Sequence, residues 1–371
     1  SSGSGLLQDI TYTYDTVGNI TGITDYSNTN GKTVTYTYDD LYRLTSASTT
    51  AASSTPFSRT YTYNQIGNII DKSDQGAYLY EETGFTNPHG VTEIGTTPTS
   101  TLSYDFNGNV TAVGSDVYGW DYRNRLASSS VSSNLSLYGY DHNNLRVLKG
   151  DGTATTTYAN RYHMVNGATT TNHIFSPDGT LLATIESTAS GTTTNYVHTD
   201  HLGGTNVISD STGDVVEVTD YYPFGEQRIH TTTGITEARK YTGHEFDTEA
   251  NLTYAKQRYY EQDIGKWLSI DPASRDNPGQ FLRDPQQLNM YSYGRNNPLI
   301  LVDRTGEKVY LAASSVLGFG THIYYYVAPE SASKFAGIGP FTLGARPSGF
   351  GTSGYLEGQF VIGGANPDSE R

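Results

Sequence analysis

The chain of 371 residues contains no cysteine, so disulfide staples, thiolate catalysis and Cys-ligated zinc or iron–sulfur sites are excluded. Basic residues are scarce: 23 Lys and Arg against 38 Asp and Glu give a net charge of −15. A chain this acidic lacks the electrostatic footprint of a nucleic-acid binder. No run of about 18 apolar residues occurs, which excludes a transmembrane helix. The opening Ser1-Ser-Gly-Ser-Gly-Leu-Leu7 has no basic stretch and no apolar h-region, so it is no signal peptide and reads as a fragment boundary. Trp and Met number only 2 each, whereas Tyr reaches 31 and Gly 40. Disordered chains avoid aromatics. Tyr, Thr and Val favour pleated strands, and Gly, Asn and Asp favour turns. The composition therefore specifies an ordered, strand-rich protein.

A repeat organises the first half. Ile10-Thr-Tyr12-Thr-Tyr14-Asp15-Thr-Val-Gly18-Asn19-Ile20 recurs from Val34 to Leu44, from Thr60 to Ile69, from Leu102 to Val110 and from Tyr138 to Val147, with a degenerate copy from Trp120 to Leu126. Tyr-x-Tyr alternates with period 2, so both rings share one face of a strand. Asp-x-x-Gly is a turn in which the carboxylate caps backbone amides and Gly accepts positive φ. Each unit is a β-hairpin, which is marginal alone and gains stability by stacking edge to edge. The expectation is one continuous antiparallel strip with a Tyr face and a Thr/Ser face, with the repeat tyrosines forming cross-strand aromatic ladders. A generic Tyr/Thr-rich adhesin-like sheet is the plainer reading of the same pattern.

The units resemble YD repeats, and a later series of motifs resembles the Rhs-repeat-associated core. Tyr196-Val-His-Thr-Asp-His201-Leu-Gly-Gly204, Asp220-Tyr-Tyr-Pro-Phe-Gly225, Tyr241-Thr-Gly-His-Glu-Phe-Asp247, Leu252-Thr-Tyr254-Ala-Lys-Gln-Arg258-Tyr-Tyr260, Gly265-Lys-Trp267-Leu-Ser-Ile-Asp271-Pro272 and Leu288-Asn-Met-Tyr291-Ser-Tyr293-Gly-Arg-Asn296-Asn297-Pro298 follow in order. The resemblance covers roughly residues 8 to 307. It implies the fold of Rhs proteins, teneurin ectodomains and the C components of insecticidal toxin complexes: a mainly β, spiralling strip of hairpins closing into a hollow shell, with the core segment curling in as a plug. It also implies a division into a YD-repeat strip (1–165), an Rhs-repeat-associated core (166–307) and a variable C-terminal region (308–371) that begins a cargo or toxin. The shell would enclose its own C-terminal segment, reach its place through a secretion or delivery component, and be matched by an immunity protein. The full-length protein would be secreted or on the cell surface. The alternative on the same fold is a non-cleaving adhesion or interaction protein.

Self-cleaving members carry D-P-x-G, a spacer, and D-P-x-G-L, the two aspartates acting as an aspartyl-protease-like pair. Asp271-Pro272-Ala-Ser matches the first without its Gly, and Asp303-Arg304-Thr-Gly306-Glu307 the second with Arg for Pro and Glu for Leu. The resemblance thus assigns Asp271 and Asp303 a single-turnover autoproteolytic role, cutting beside Glu307 or Lys308. Asp284, in a further Asp-Pro, is the reserve carboxylate. Arg283, Arg295 and Arg304 are candidates to hold carboxylates or the scissile strand. Two close carboxylates share a proton, which suits general acid–base hydrolysis. Asp-Pro and Asp-x-x-Gly are also ordinary turn pieces, and Asp303 as a turn cap is the plain alternative. His198 and His201, with Asp200 between them, superficially resemble a metal cluster, but nothing nearby completes a three-ligand set of known spacing; a strand-to-turn segment is the preferred reading. No cofactor or metal is implied. In the tail, His322 with Asp368 or Glu357 is a weaker candidate for hydrolase chemistry.

Overall fold

The computed structural model describes residues 6–27, 31–50, 55–80, 87–95, 100–233, 236–276, 278–281, 284–307, 309–311, 314–315 and 321–322. Among them, 22 strands from Ile10–Tyr14 to Gln227–Thr232 belong to one sheet. Each strand pairs antiparallel with the next in sequence, and the meander runs on through His163–Asn166 without a break. Helix is confined to short pieces such as Ala273–Asp276 and Pro278–Phe281.

The repeat chemistry accounts for the strip. In each unit the turn carboxylate, or its amide counterpart Asn64, accepts backbone N–H groups two and four residues on: Asp15 from Val17 and Asn19, Asp39 from Leu41 and Arg43, Asn64 from Ile66 and Asn68, Asp105 from Asn107 and Asn109. The register slips just before the second aromatic of the unit, between Thr13 and Tyr14, Thr37 and Tyr38, Thr62 and Tyr63, and Gly139 and Tyr140. A bulge bends and twists its strand, so a bulge repeated at one position curls the strip in one direction. The second aromatic also ties each hairpin to the preceding one. Tyr38 donates its hydroxyl to the Ile20 carbonyl at 2.7 Å, Tyr63 to Leu44 at 2.6 Å, Tyr104 to Val91 at 2.8 Å and Tyr140 to Leu126 at 2.6 Å, while Trp120 Nε1 donates to Val110 at 2.7 Å. These O–H···O=C bonds take the place of the ring-on-ring ladders that the Tyr-x-Tyr pattern suggests, because the bulge brings the phenol tip, not its face, to the neighbouring strand.

The first tyrosine of a unit points inward. Tyr36, Tyr61, Tyr118 and Tyr138 are buried in one apolar core with Leu252, Tyr259, Ile264 and Leu268 of the segment that follows the strip. That segment is the plug. It forms a four-stranded sheet from Glu245–Asp247 to Lys266–Trp267 and a short pair, Leu301–Asp303 with Val309–Leu311. Its polar groups dock on the strip's turns: Asn297 Nδ2 donates to Asn19 Oδ1 at 2.9 Å and to the Tyr42 carbonyl at 2.8 Å, and Asn289 and Asn296 both donate to the Gly67 carbonyl at 2.9 Å. The late strands also return to the early ones. Asp220 sits between Lys32 and Arg228, Phe57 meets Tyr222 edge-on at 5.0 Å, and Gln8 donates to Asn206 at 2.7 Å.

Candidate functional site

Asp303 closes the strand Leu301–Asp303 and opens one more copy of the repeat turn. Its Oδ1 accepts from the backbone N–H groups of Thr305, Gly306 and Glu307 at 3.2, 2.7 and 3.1 Å, and Gly306 sits at φ +78°. In the strip, the other carboxylate oxygen of such a turn is taken by the side chain four residues on: Asp15 by Asn19, Asp39 by Arg43, Asp105 by Asn109 and Asp121 by Arg125. Here that position is Glu307, a carboxyl residue in place of the Asn or Arg donor. Asp303 Oδ2 instead accepts from Arg258 Nη2 at 3.0 Å.

The same nitrogen binds Asp271 Oδ2 at 2.9 Å, so one buried guanidinium joins the two carboxylates. Asp271 precedes the helix Ala273–Asp276, and its Oδ1 accepts from the Ala273 N–H at 2.9 Å. Arg258 lies over the Trp267 ring at 4.1 Å, donates Nη1 to the Met290 carbonyl at 2.9 Å and donates Nε to the Gly306 carbonyl. Asp303 is fully buried and Asp271 nearly so. Burial pushes the Asp271 carboxyl up to about 6; Arg258 opposes that shift, and Asp303 and Glu307 add to it. His244 donates Nε2–H to the Asp303 carbonyl at 2.8 Å, and burial holds its ring neutral, with a pKa down at about 4.

The structure brings Asp271 and Asp303 together. The reserve residue, Asp284, stands apart from this group: it caps the turn Pro285–Leu288 through Gln286 N–H, and its Oδ2 binds Arg295 at 2.6 Å and Gln287 at 2.9 Å. Arg295 thus holds a carboxylate, but that of Asp284. Arg283, Glu357, Asp368 and the His322 side chain lie outside the described residues. The residue missing from the sequence reading is Arg258. It stands in the motif Tyr254 to Tyr260 beside a second cation, Lys256, and nothing in that run distinguishes the two. The two histidines of the superficial metal cluster go separate ways. His198 meets Ser209 Oγ at 3.0 Å; His201 donates to the Leu299 carbonyl at 2.8 Å and packs on Tyr12 at 5.0 Å. Asp200 between them is another turn cap, accepting from Leu202 and Gly204 N–H groups.

The strip and the plug are those of a YD-shell. The Teneurin YD-shell family model matches residues 5–299, and the chain belongs to that family. The chain is similar to tRNA nuclease WapA of Bacillus subtilis, with 29% identity over 71% of this chain and 11% of that protein. It is similar to toxin subunit YenC1 of Yersinia entomophaga, with 24% identity over 82% of this chain and 37% of that protein, and to Teneurin-m of Drosophila melanogaster, with 25% identity over 71% and 10%. Among solved structures, the TcdB2-TccC3-Cdc42 crystal structure shares the fold, with a TM-score of 0.63 and 22% identity over 81% of this chain and 17% of that one. The chain therefore spans between about a tenth and two fifths of the length of these three relatives.

Proposed function

We propose that this chain is the closing part of a YD-shell that encloses the polypeptide following residue 307 and cuts its own chain once, beside Glu307, with Asp271 and Asp303 as the acting carboxyls. The observation that carries this reading is the shared Arg258 nitrogen. It holds both carboxylates at one point while Arg258 Nε grips the Gly306 carbonyl and Asp303 Oδ1 grips the Glu307 N–H, so the peptide segment to be cut is fixed against the pair. Water adds to a carbonyl carbon of a bond flanking Glu307. One carboxylate takes the water's proton, a carboxylic acid partner supplies a proton to the departing nitrogen, and the C–N bond breaks. Asp271, raised toward neutrality, is the group suited to carry that proton. The reaction runs once per chain, so the severed tail stays as enclosed cargo.

The relatives support the setting. Toxin subunits and a nuclease are similar to this shell, which fits a protein acting outside the cell with a toxic C-terminal cargo, a delivery partner and an immunity protein, and with a 166–307 core, whose first strands continue the strip, ahead of that cargo. A second reading, a non-cleaving adhesion shell, is favoured by one observation: Glu307 adds a third carboxylate beside Asp271. Denaturing mass spectrometry of wild type beside Asp271→Asn and Asp303→Asn decides between them. The expected result is two fragments from wild type and one intact chain from each variant. An intact wild-type chain overturns self-cleavage and leaves the non-cleaving shell, and equal cleavage of all three removes the aspartates from the mechanism.

A further inference from the structure

We infer that four cations around the Asp303 turn form a binding site for a multiply charged phosphate-type oxyanion. Arg161, Arg239, Lys256 and Arg304 come from four separate segments, and among the described residues none of them is ion-paired, a state shared by Arg123, Lys266 and Arg275, whereas eleven other cations and two histidines make 18 carboxylate pairings. In a chain of net charge −15, that convergence is against the general trend.

Their proximity follows from the packing. Arg161 and Arg239 lie over the same Phe175 ring, at 4.0 and 5.5 Å, and Arg239 Nη2 donates to the Arg161 carbonyl at 3.3 Å. The turn at Lys256 and the turn at Arg304 are laid against each other: Gln257 N–H donates to the Thr305 carbonyl at 3.1 Å, and the Gly306 backbone rests on Ala255 and Arg258. Lys256 holds φ +65°, a left-handed conformation that a lysine rarely adopts. His244, which follows the Arg239 segment, donates Nε2–H to the Asp303 carbonyl at 2.8 Å and so seats that segment against the Arg304 turn. Burial pushes down the basicity of Lys256, Arg161, Arg239 and Arg304 add to the shift, and Asp303 opposes it.

The neighbouring carboxylates are held first by other groups and reach these cations only beyond ion-pair distance. Glu245 binds Arg146 at 2.6 Å and also Tyr158, with Arg239 acting on it from farther off; Asp303 binds Arg258 and supports the Lys256 charge at a distance; Glu237 accepts from Thr184 and from the Arg239 backbone N–H at 2.9 Å and approaches His173 at 3.5 Å. Arg239 Nε is buried without a hydrogen-bond acceptor. Arg161 and Lys256 are exposed, and Arg239 and Arg304 half-buried, so an ion has access from solvent. Guanidinium forks match phosphate geometry bidentately, whereas one carboxylate cannot answer four positive charges. An oxyanion bound here would tie the Lys256 turn to the Arg304 turn and so steady the segment that carries Asp303.

The test is thermal unfolding of the full chain, titrated with pyrophosphate, with ATP free of divalent cations, and with sodium chloride of matched ionic strength. The expected result is a saturable rise in melting temperature with pyrophosphate that the matched chloride does not give. An equal rise with ATP shows that the phosphates alone are read, and a larger one that the site takes a nucleotide; both sustain the proposal. The double variant Arg239→Gln/Lys256→Gln should weaken the pyrophosphate response about tenfold or more. Because it relieves like-charge repulsion, it should melt at or above the wild-type temperature in plain buffer. A pyrophosphate effect no larger than that of chloride overturns the proposal. So does an effect undiminished in the double variant, or a double variant that melts lower without anion, since the cations would then have partners of their own.

Discussion

Asp271 and Asp303 are both buried and share one cation, yet they differ in what else holds them. Three backbone N–H groups converge on Asp303 Oδ1, and only one, from Ala273, reaches Asp271 Oδ1. Burial raises the Asp271 carboxyl from 3.8 to about 6, and Arg258 and the single N–H of Ala273 offset only part of that rise. A raised acid binds more protons folded than unfolded between those values, so stability falls as pH rises from about 4 to about 6. Asp271→Asn should flatten that part of the stability-against-pH curve, measured by denaturant midpoints. Self-cleavage, if it requires the protonated carboxyl, should slow as pH climbs above about 6. Lys266 presents the opposite case. Its side chain is buried between strip and plug with Nζ lacking a hydrogen-bond acceptor, 5.6 Å from the Tyr80 ring, and burial brings its pKa down to about 7. A depressed amine makes stability rise with pH between about 7 and 10.5. Lys266→Met keeps the packing and removes the buried amine. It should stabilise the protein by roughly 1–3 kcal/mol at pH 7 and abolish that alkaline rise; a loss of stability in the variant would mean the amine has a partner.

At the scale of the element, one turn serves two ends. Asp15 and Asp303 cap the same backbone geometry, but Gly18 stands in open space at φ +93°, whereas a Cβ on Gly306 would meet the Ala255 carbonyl at 2.7 Å and Arg258 N at 2.9 Å. Gly18→Ala therefore costs only the left-handed backbone penalty, about 1–2 kcal/mol. Gly306→Ala adds a collision with backbone on the very turn that presents Glu307. It should lose at least twice as much stability in urea titrations and should also stop cleavage; equal losses at the two sites would show that the Gly306 turn is not packed against Arg258. This reuse explains what was legible in the sequence. Period 2, the Asp cap and the Gly are local chemistry, so the hairpin, the strip and even the candidate aspartates could be read from spacing and family likeness. The tie between hairpins was not, because the bulge that turns Tyr38 toward the Ile20 carbonyl leaves no mark in a Tyr-x-Tyr pattern. Arg258 was not assigned either, since its partners lie 13 and 45 residues away and only the folding of the plug brings them to one nitrogen. Asp284, equally prominent as an Asp-Pro, became a cap once Arg295 came beside it.

At the scale of the whole molecule, strip and plug share a single interior. Tyr138 packs on Tyr259 and Tyr104 on Tyr291, at 5.3 and 5.9 Å. Arg146, on the strip, has no exposed side-chain surface and binds Asp247 at 2.5 Å and Glu245 at 2.6 Å, both in the plug. A curled single-layer sheet has no second layer of its own, so the plug supplies the apolar surface that its inner face must bury. A chain ending after Thr233 would keep every hairpin of the strip but expose Tyr36, Leu44, Tyr61, Ile69 and Val110 to water. The hairpins are individually marginal, and their tyrosine-to-carbonyl bonds contribute only about 1 kcal/mol each. Such a chain should show no cooperative calorimetric transition, should lose its near-ultraviolet tyrosine signal and should bind hydrophobic dyes. A truncated strip that melts as sharply as the full chain would show that the hairpins need only one another, and that the plug is a passenger within the strip and not its core.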